Sequence, residues 1–343
     1  MAGKQLWALI GLLFIGAAVF LAWQGRKSAA PTSPPATARL SPQATRLIPS
    51  LPAPTQPAPQ GAQKDWRSLL EAGGLSRYAP AVAELVRPAV QLSTRKVPTA
   101  ALAIGQSRIG GVPDLPARFT WPSYQGKHLA FVAQIDMGDV ARVMPDGPLP
   151  KKGQLWFFYA WDQTHWGFDP KDAGSSVVHY ETDAQLVRRA LPADIPDEGR
   201  FASCAVTFRA YADIPDGSDP RNPTYKSDDA TQDRYGDARS NVASIGVTSH
   251  KLLGHPEPIQ NPMEIECATV TNGVYMGDAR GHEHPRFREL EATQYDWRLL
   301  MQVDTDAAAE MMLGDTGRLY FWIRDQDLRA RRFDKTWMIF QCG

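Results

Sequence analysis

The sequence predicts an α+β fold: a mainly antiparallel sheet domain with an internal pseudo-two-fold duplication, preceded by a single transmembrane helix. Three observations lead there. Leu6–Trp23 is an uncharged apolar run, short aromatic and β-branched runs recur from residue 129 to the end, and one strand–turn–strand pattern occurs twice.

As a helix, the run from Leu6 to Trp23 is roughly 27 Å long, close to the ~30 Å hydrocarbon core of a bilayer. Trp7 and Trp23 stand at its ends, where indole rings favour the headgroup level. Gln24-Gly25-Arg26-Lys27 follows in place of a small-residue cleavage site, so residues 1–27 read as an uncleaved anchor. Residues 28–64 contain nine Pro and eight Ala and no acid, the composition of an extended linker that cannot bury enough surface to order itself. Residues 65–104 read as a helical lead-in. Asp65 caps a helix over Trp66–Ala72 that ends at Gly73-Gly74, and a second helix is expected from Pro80 to Gln91.

Strands are expected at 129–136, 154–161, 176–181, 205–211, 297–304, 319–324 and 336–341, each bounded by Gly, Pro or Asp. A short helix is expected from Asp325 to Phe333. Residues 213–245, rich in Asp, Arg, Asn and Gly, are too long for a simple connection and suggest a lid or disorder.

Charge and cysteine narrow the function classes. The chain carries 37 basic and 37 acidic residues, but the first 64 residues hold six bases and no acid, leaving the remainder mildly acidic. Such a body lacks the clustered positive charge that a nucleic-acid surface needs, so no nucleic-acid partner is expected. Cys204, Cys267 and Cys342 are an odd, widely spaced set that reads as free thiols.

The repeat is the most informative pattern. Phe131-Val-Ala-Gln134-Ile-Asp136 matches Leu299-Leu-Met-Gln302-Val-Asp304, and Gly153-Gln-Leu-Trp-Phe157 matches Gly317-Arg-Leu-Tyr-Phe321 in the same order. Upstream of each lies a Gly/Pro turn, Gly110-Gly111-Val-Pro113 and Gly254-His255-Pro256.

Several further motifs accompany these: Asp114-Leu-Pro116 with Trp121-Pro122, His250-Lys-Leu-Leu253, Ile259-Gln260, Asp304-Thr-Asp306, Gly314-Asp-Thr-Gly317, Asp327-Leu328 and Gln341-Cys342. Together, over roughly residues 105–343, the chain resembles the YwqG-like proteins (domain of unknown function 1963). The resemblance implies an α+β fold with an internal duplication and no particular activity, the family being functionally uncharacterised. It also implies a bacterial protein: members look like soluble bacterial proteins, some associated with toxin–immunity gene neighbourhoods, so the expected anchor and linker depart from the family's usual pattern. With the anchor, the expected place is the bacterial inner membrane, the membrane being a partner through residues 6–23. The basic residues after the run lean the globular part toward the cytoplasm.

Strand alternation places Gln134 and Asp136 on one face, and Gln302, Asp304 and Asp306 on the equivalent one. If the two copies meet about a pseudo-dyad, these groups could bind a hard cation or a polar ligand at the junction. The ordinary alternative has each Asp capping a turn and each Gln satisfying buried backbone. His255 in its Gly-His-Pro turn and Gln260 beside it complete the candidate ligand contacts. His282-Glu-His284 has a zinc-pair spacing but no third ligand, so neither metal nor cofactor is expected. Nucleotide-loop, zincin and nucleophile-elbow motifs are missing from the sequence. The expected function is a membrane-tethered, non-catalytic binding or interaction module with a protein partner, an immunity-type role being one version. The alternative is a hydrolase, metal-assisted, at the repeat junction through Asp136, Asp304, Asp306 and His255.

Overall fold

A computed structural model describes residues 65–243 and 248–343. Strands β1 (Arg87–Lys96), β2 (Arg108–Ile109), β3 (Asp114–Pro116), β4 (Ser123–Tyr124), β5 (Lys127–His128), β6 (Ala130–Asp136) and β7 (Gln154–Tyr159) come first. They are followed by β8 (Ser176–Glu181), β9 (Leu186–Arg188), β10 (Cys204–Asp213), β11 (His250–Leu253), β12 (Trp297–Asp304), β13 (Arg318–Arg324) and β14 (Trp337–Gln341). Helices are α1 (Trp66–Ala72), α2 (Ala79–Ala83), α3 (Met137–Val143), α4 (Asp229–Ala243), α5 (Glu264–Val270), α6 (Phe287–Glu291) and α7 (Asp325–Arg329).

Ten strands form one antiparallel sheet in the order β14-β13-β12-β11-β1-β10-β2-β6-β7-β8. The order is symmetric about the long central pair, in which β1 runs against β10 from Arg87↔Asp213 to Lys96↔Cys204. On either side the same hairpin recurs: β6 against β7 with a bulge between Phe131 and Ala133, and β12 against β13 with a bulge between Leu299 and Met301. Bulges increase local twist. The sheet curls until its flanks meet, and the matching rings Phe157 and Phe321 pack edge-on with centroids 5.1 Å apart. Further along, Trp337 Nε1 donates to the Gly167 carbonyl (3.0 Å) and Trp166 packs on Phe340. The apolar core lies inside this curl and draws Leu155, Phe157, Leu319, Phe321 and Phe340 from both flanks.

A smaller core lies outside the central pair. Trp66 and Leu70 of α1 and Tyr235, Ala238 and Val242 of α4 pack there with Ala89 and Tyr211. The segment expected to be a lid or disordered therefore contains a helix. Its apolar contacts are few and separated by Asp, Arg and Ser, so periodicity gave little warning. The second expected helix also stops early. Pro88 cannot sit inside a helix, and Arg87 onward extends as β1 with Ala89, Val90 and Leu92 buried.

The transmembrane element of the expected fold class is corrected. Among the described residues no helix is long and apolar enough to cross a membrane, and the run 6–23 lies outside them. The longest described helix, α4, has 15 residues and carries Asp229, Asp233, Arg234, Asp237 and Arg239. The supported fold is thus the large, nearly barrel-shaped antiparallel sheet, without the preceding helix. The membrane partner, the inner-membrane localisation and the tethering that rested on that helix are set aside with it.

Candidate functional site

Each half of the sheet carries a buried polar cluster on its outer face, built alike. In the first half, β2 leads into Gly110-Gly111, both with positive φ. A Cβ on Gly110 would lie 2.4 Å from the Ala202 carbonyl, so only glycine fits. The chain turns back as β3, where Asp114 N–H donates to Gln134 Oε1 (2.8 Å) and Trp156 Nε1 donates to the Asp114 carbonyl (2.8 Å). Arg108, fully buried, is ion-paired with Asp114, and Arg188 reaches the same carboxylate at 2.8 Å. Burial pulls the Arg108 guanidinium down to about 10, although Asp114 opposes the shift.

In the second half, β11 leads into Leu253-Gly254, again a consecutive pair with positive φ. Glu257 N–H donates to Gln302 Oε1 (2.9 Å), and Tyr320 Oη donates to the Glu257 carbonyl (2.6 Å). Lys251 takes the place of Arg108, ion-paired with Glu257 at 2.8 Å and with Asp213 at 3.2 Å. Burial would raise the Glu257 carboxyl, but Lys251 and Arg239 outweigh it and hold it at about 2.

The predicted residues fall into these clusters separately. Gln134 and Gln302 each bond within their own half. Asp136 caps α3 through Gly138 N–H (2.7 Å). Asp304 accepts from Ser249 N–H (2.8 Å) and lies 3.0 Å from Arg318 Nε. Asp306 accepts from Thr94 (2.7 Å) and from His250 Nε2 (3.2 Å), while His250 Nδ1 accepts from Asp304 N–H (3.0 Å). That pattern fixes His250 as the neutral Nε2–H tautomer. Burial opposes ionisation of Asp306, yet the hydrogen bonds from His250 and Thr94 bring it to about 2. Gln260 is exposed and ties down the C-terminus through the Cys342 carbonyl (2.9 Å).

His255 borders the cavity described next, and Asp136 a smaller one. Its Nε2–H donates to the Leu85 carbonyl (2.7 Å) and its N–H to Asp213 (2.9 Å). Burial, reinforced by Arg87, keeps its imidazole pKa well below the ordinary value, so the ring is a neutral wall rather than a proton carrier.

That cavity holds about 530 Å³, less than the roughly 740 Å³ groove beside Trp297 and Trp337. Its walls are the loop 216–225, the strap 255–266 leading into α5, and residues 282–295 around α6. Tyr225 and Tyr295 are exposed at its mouth. On one side Arg221 lies over the Tyr295 ring (4.1 Å) while Asp219 grips its guanidinium through Nε (2.9 Å) and Nη2 (2.6 Å). On the other side stand Glu264 and Glu266 of α5. Glu264 is 6 % exposed, and its nearest base, Arg221, is 3.9 Å away. Glu266 is half-buried, but its Oε2 is sealed from solvent and has no hydrogen-bond partner among the described residues. Burial, with Glu264 adding repulsion, pushes its carboxyl up to about 8.

Comparison of the halves shows why only the second is open here. In the first half, β9 pairs with β3, Leu115 opposite Val187, and Arg189 N–H donates to the Pro113 carbonyl (2.9 Å). At the matching places the second half has Pro258, which has no N–H, and the Pro256 carbonyl, already taken by Arg239 (2.8 Å). Among the described residues no strand closes the strap, and the cleft remains.

The sequence reading missed Glu264 and Glu266. The only signal was an acid pair on a short helix whose following residues, Cys267, Ala268 and Val270, are buried. Among the described residues no group of three or more His, Cys, Asp or Glu is placed to hold a metal ion, and His282 is exposed.

The family model for a domain of unknown function, DUF1963, matches residues 107–342, and the chain belongs to that family. The match runs from β2 through β14 and leaves out β1, the strand at the centre of the sheet. No curated protein matches the chain.

Proposed function

We propose that the protein is a binding module whose cleft receives a basic side chain, a lysine or arginine presented on a peptide segment of a partner. One observation carries this: in the wall of an open cleft, Glu266 has a sealed carboxylate oxygen with no partner among the described residues, beside the nearly buried Glu264. A buried acid without a partner is costly, and an incoming cation relieves that cost. The grip of Asp219 and Tyr295 on Arg221 is the same recognition made within the chain, a carboxylate fork with an aromatic face. The exposed tyrosines supply rigid contact area for the flanking peptide.

The test titrates the full chain by calorimetry with three peptides of equal length, lysine-rich, neutral and acidic. Binding of the basic peptide alone, weakened about ten-fold or more by the double substitution Glu264→Gln with Glu266→Gln, is expected. Equal affinity of the parent and the doubly substituted protein for the basic peptide, at physiological salt, would refute it.

A further inference from the structure

A second site follows from setting the two halves side by side. At the open end of β7, Asp136, Gln154 and Glu181 lie opposite one another across three strands. Residues directly opposite in a sheet share a face. The corresponding row in the second half is Asp304, Arg318 and Gln341. That row is neutral: a carboxylate, a guanidinium and an amide. Arg318 Nε lies 3.0 Å from Asp304, and its Nη1 donates to the Glu257 carbonyl (2.9 Å).

The first row has two carboxylates and no cation between them. Its middle member is an amide whose Nε2 donates to the Gly105 carbonyl (2.9 Å), which fixes the other atom as the carbonyl oxygen and turns it away. That Oε1 is buried, on a residue 8 % exposed, and has no hydrogen-bond partner among the described residues. Beside it opens a cavity of about 170 Å³, bordered by Asp136, Trp156, Glu181 and Leu186. At roughly 30 Å³ per water it has room for a head group of a few heavy atoms. Neighbouring Lys152 is already engaged with Asp183 (3.0 Å), and His179 Nε2 stands 3.2 Å from Glu181.

We infer that this cavity binds the guanidinium or primary ammonium head of a ligand, in the place that Arg318 fills in the other half. The cation's N–H groups donate to Gln154 Oε1 and to the free oxygen of Asp136. Donors rather than a bare ion suit the position, because the second half places N–H donors there. The site lies in the first half of the sheet and does not depend on the cleft at Glu266.

The test measures the melting temperature of the full chain against methylguanidinium and methylammonium chlorides, with tetramethylammonium and magnesium chlorides at equal ionic strength. The parent protein is expected to rise by about 3 °C at ten times Kd with either N–H-bearing cation. Gln154→Arg, which supplies the cation from within, is expected to melt higher without ligand and to lose the response. Gln154→Leu, which keeps the backbone and removes the orphan oxygen, is expected to lose the response as well, and it serves if the arginine variant fails to fold. Equal shifts in the parent and Gln154→Leu overturn the inference, as do a shift of the same size with tetramethylammonium, a larger one with magnesium, or no response of the parent.

Discussion

Replacing Glu266 by Gln isolates the energetic consequence of a buried, unpartnered acid. In the folded protein its carboxyl titrates at about 8, against an ordinary 4.5. Between these values the folded state holds a proton that the unfolded chain has released, so rising pH favours unfolding. The stabilising contribution is whole below about pH 4.5 and is lost as pH climbs through 8. At 1.36 kcal/mol per unit the undiscounted loss would be roughly 5 kcal/mol, but Glu266 is only half-buried, and screening reduces this to on the order of 2 kcal/mol. Glutamine keeps the shape and has nothing to ionise. Calorimetric melting of parent and variant from about pH 5 to pH 9 should therefore give two diverging curves. The variant gains on the parent with each unit of pH and leads by about 4–8 °C above pH 8. A saturating basic peptide should narrow the gap by drawing the proton off and stabilising the carboxylate. Parallel curves across the whole range would show that Glu266 ionises freely and would remove the basis for a cation site in the cleft.

Two further outcomes follow from the buried clusters. Asp306→Asn removes a carboxylate held at about 2 by His250 and Thr94, so near neutral pH the variant should be less stable by on the order of 2 kcal/mol. That deficit should shrink as pH falls through the ordinary carboxylate range toward 2, which acid-induced unfolding followed by circular dichroism would measure. Lys251→Met leaves Asp213 and Glu257 buried without their ammonium partner and should cost about 3–5 kcal/mol in urea unfolding, whereas exchanging Lys152 for Met on the surface should cost less than about 1 kcal/mol.

The hairpin strands β6, β7, β12 and β13 and their recurrence were legible because they are local, whereas the central strand β1 was expected as a helix as far as Gln91. Alternating aromatic and β-branched residues between Pro, Gly and Asp mark a strand wherever it ends up, and Gln134-Ile-Asp136 against Gln302-Val-Asp304 marks two copies of one hairpin. Asp136 could also be read locally, since a cap needs only the next two residues. The helix α4 was not legible, because its buried face is made of Tyr235, Ala238 and Val242 among charged neighbours. The expected anchor found no counterpart among the described helices.

What the sequence by itself determined is the two recurring hairpins, β6–β7 and β12–β13, and their order, since backbone geometry and side-chain period act over a few residues. Only the tertiary structure decided where the polar groups meet. It put Gln134 and Gln302 into separate clusters on the outer face, buried Arg108 and Lys251 against acids six residues further along the chain, and gathered segments near 219, 264 and 295 around one cleft. The reason is that a buried charge is tolerated only beside its partner. That partner is chosen by the path of the chain in space, which here turns on a proline that cannot pair and a strand that therefore does not close.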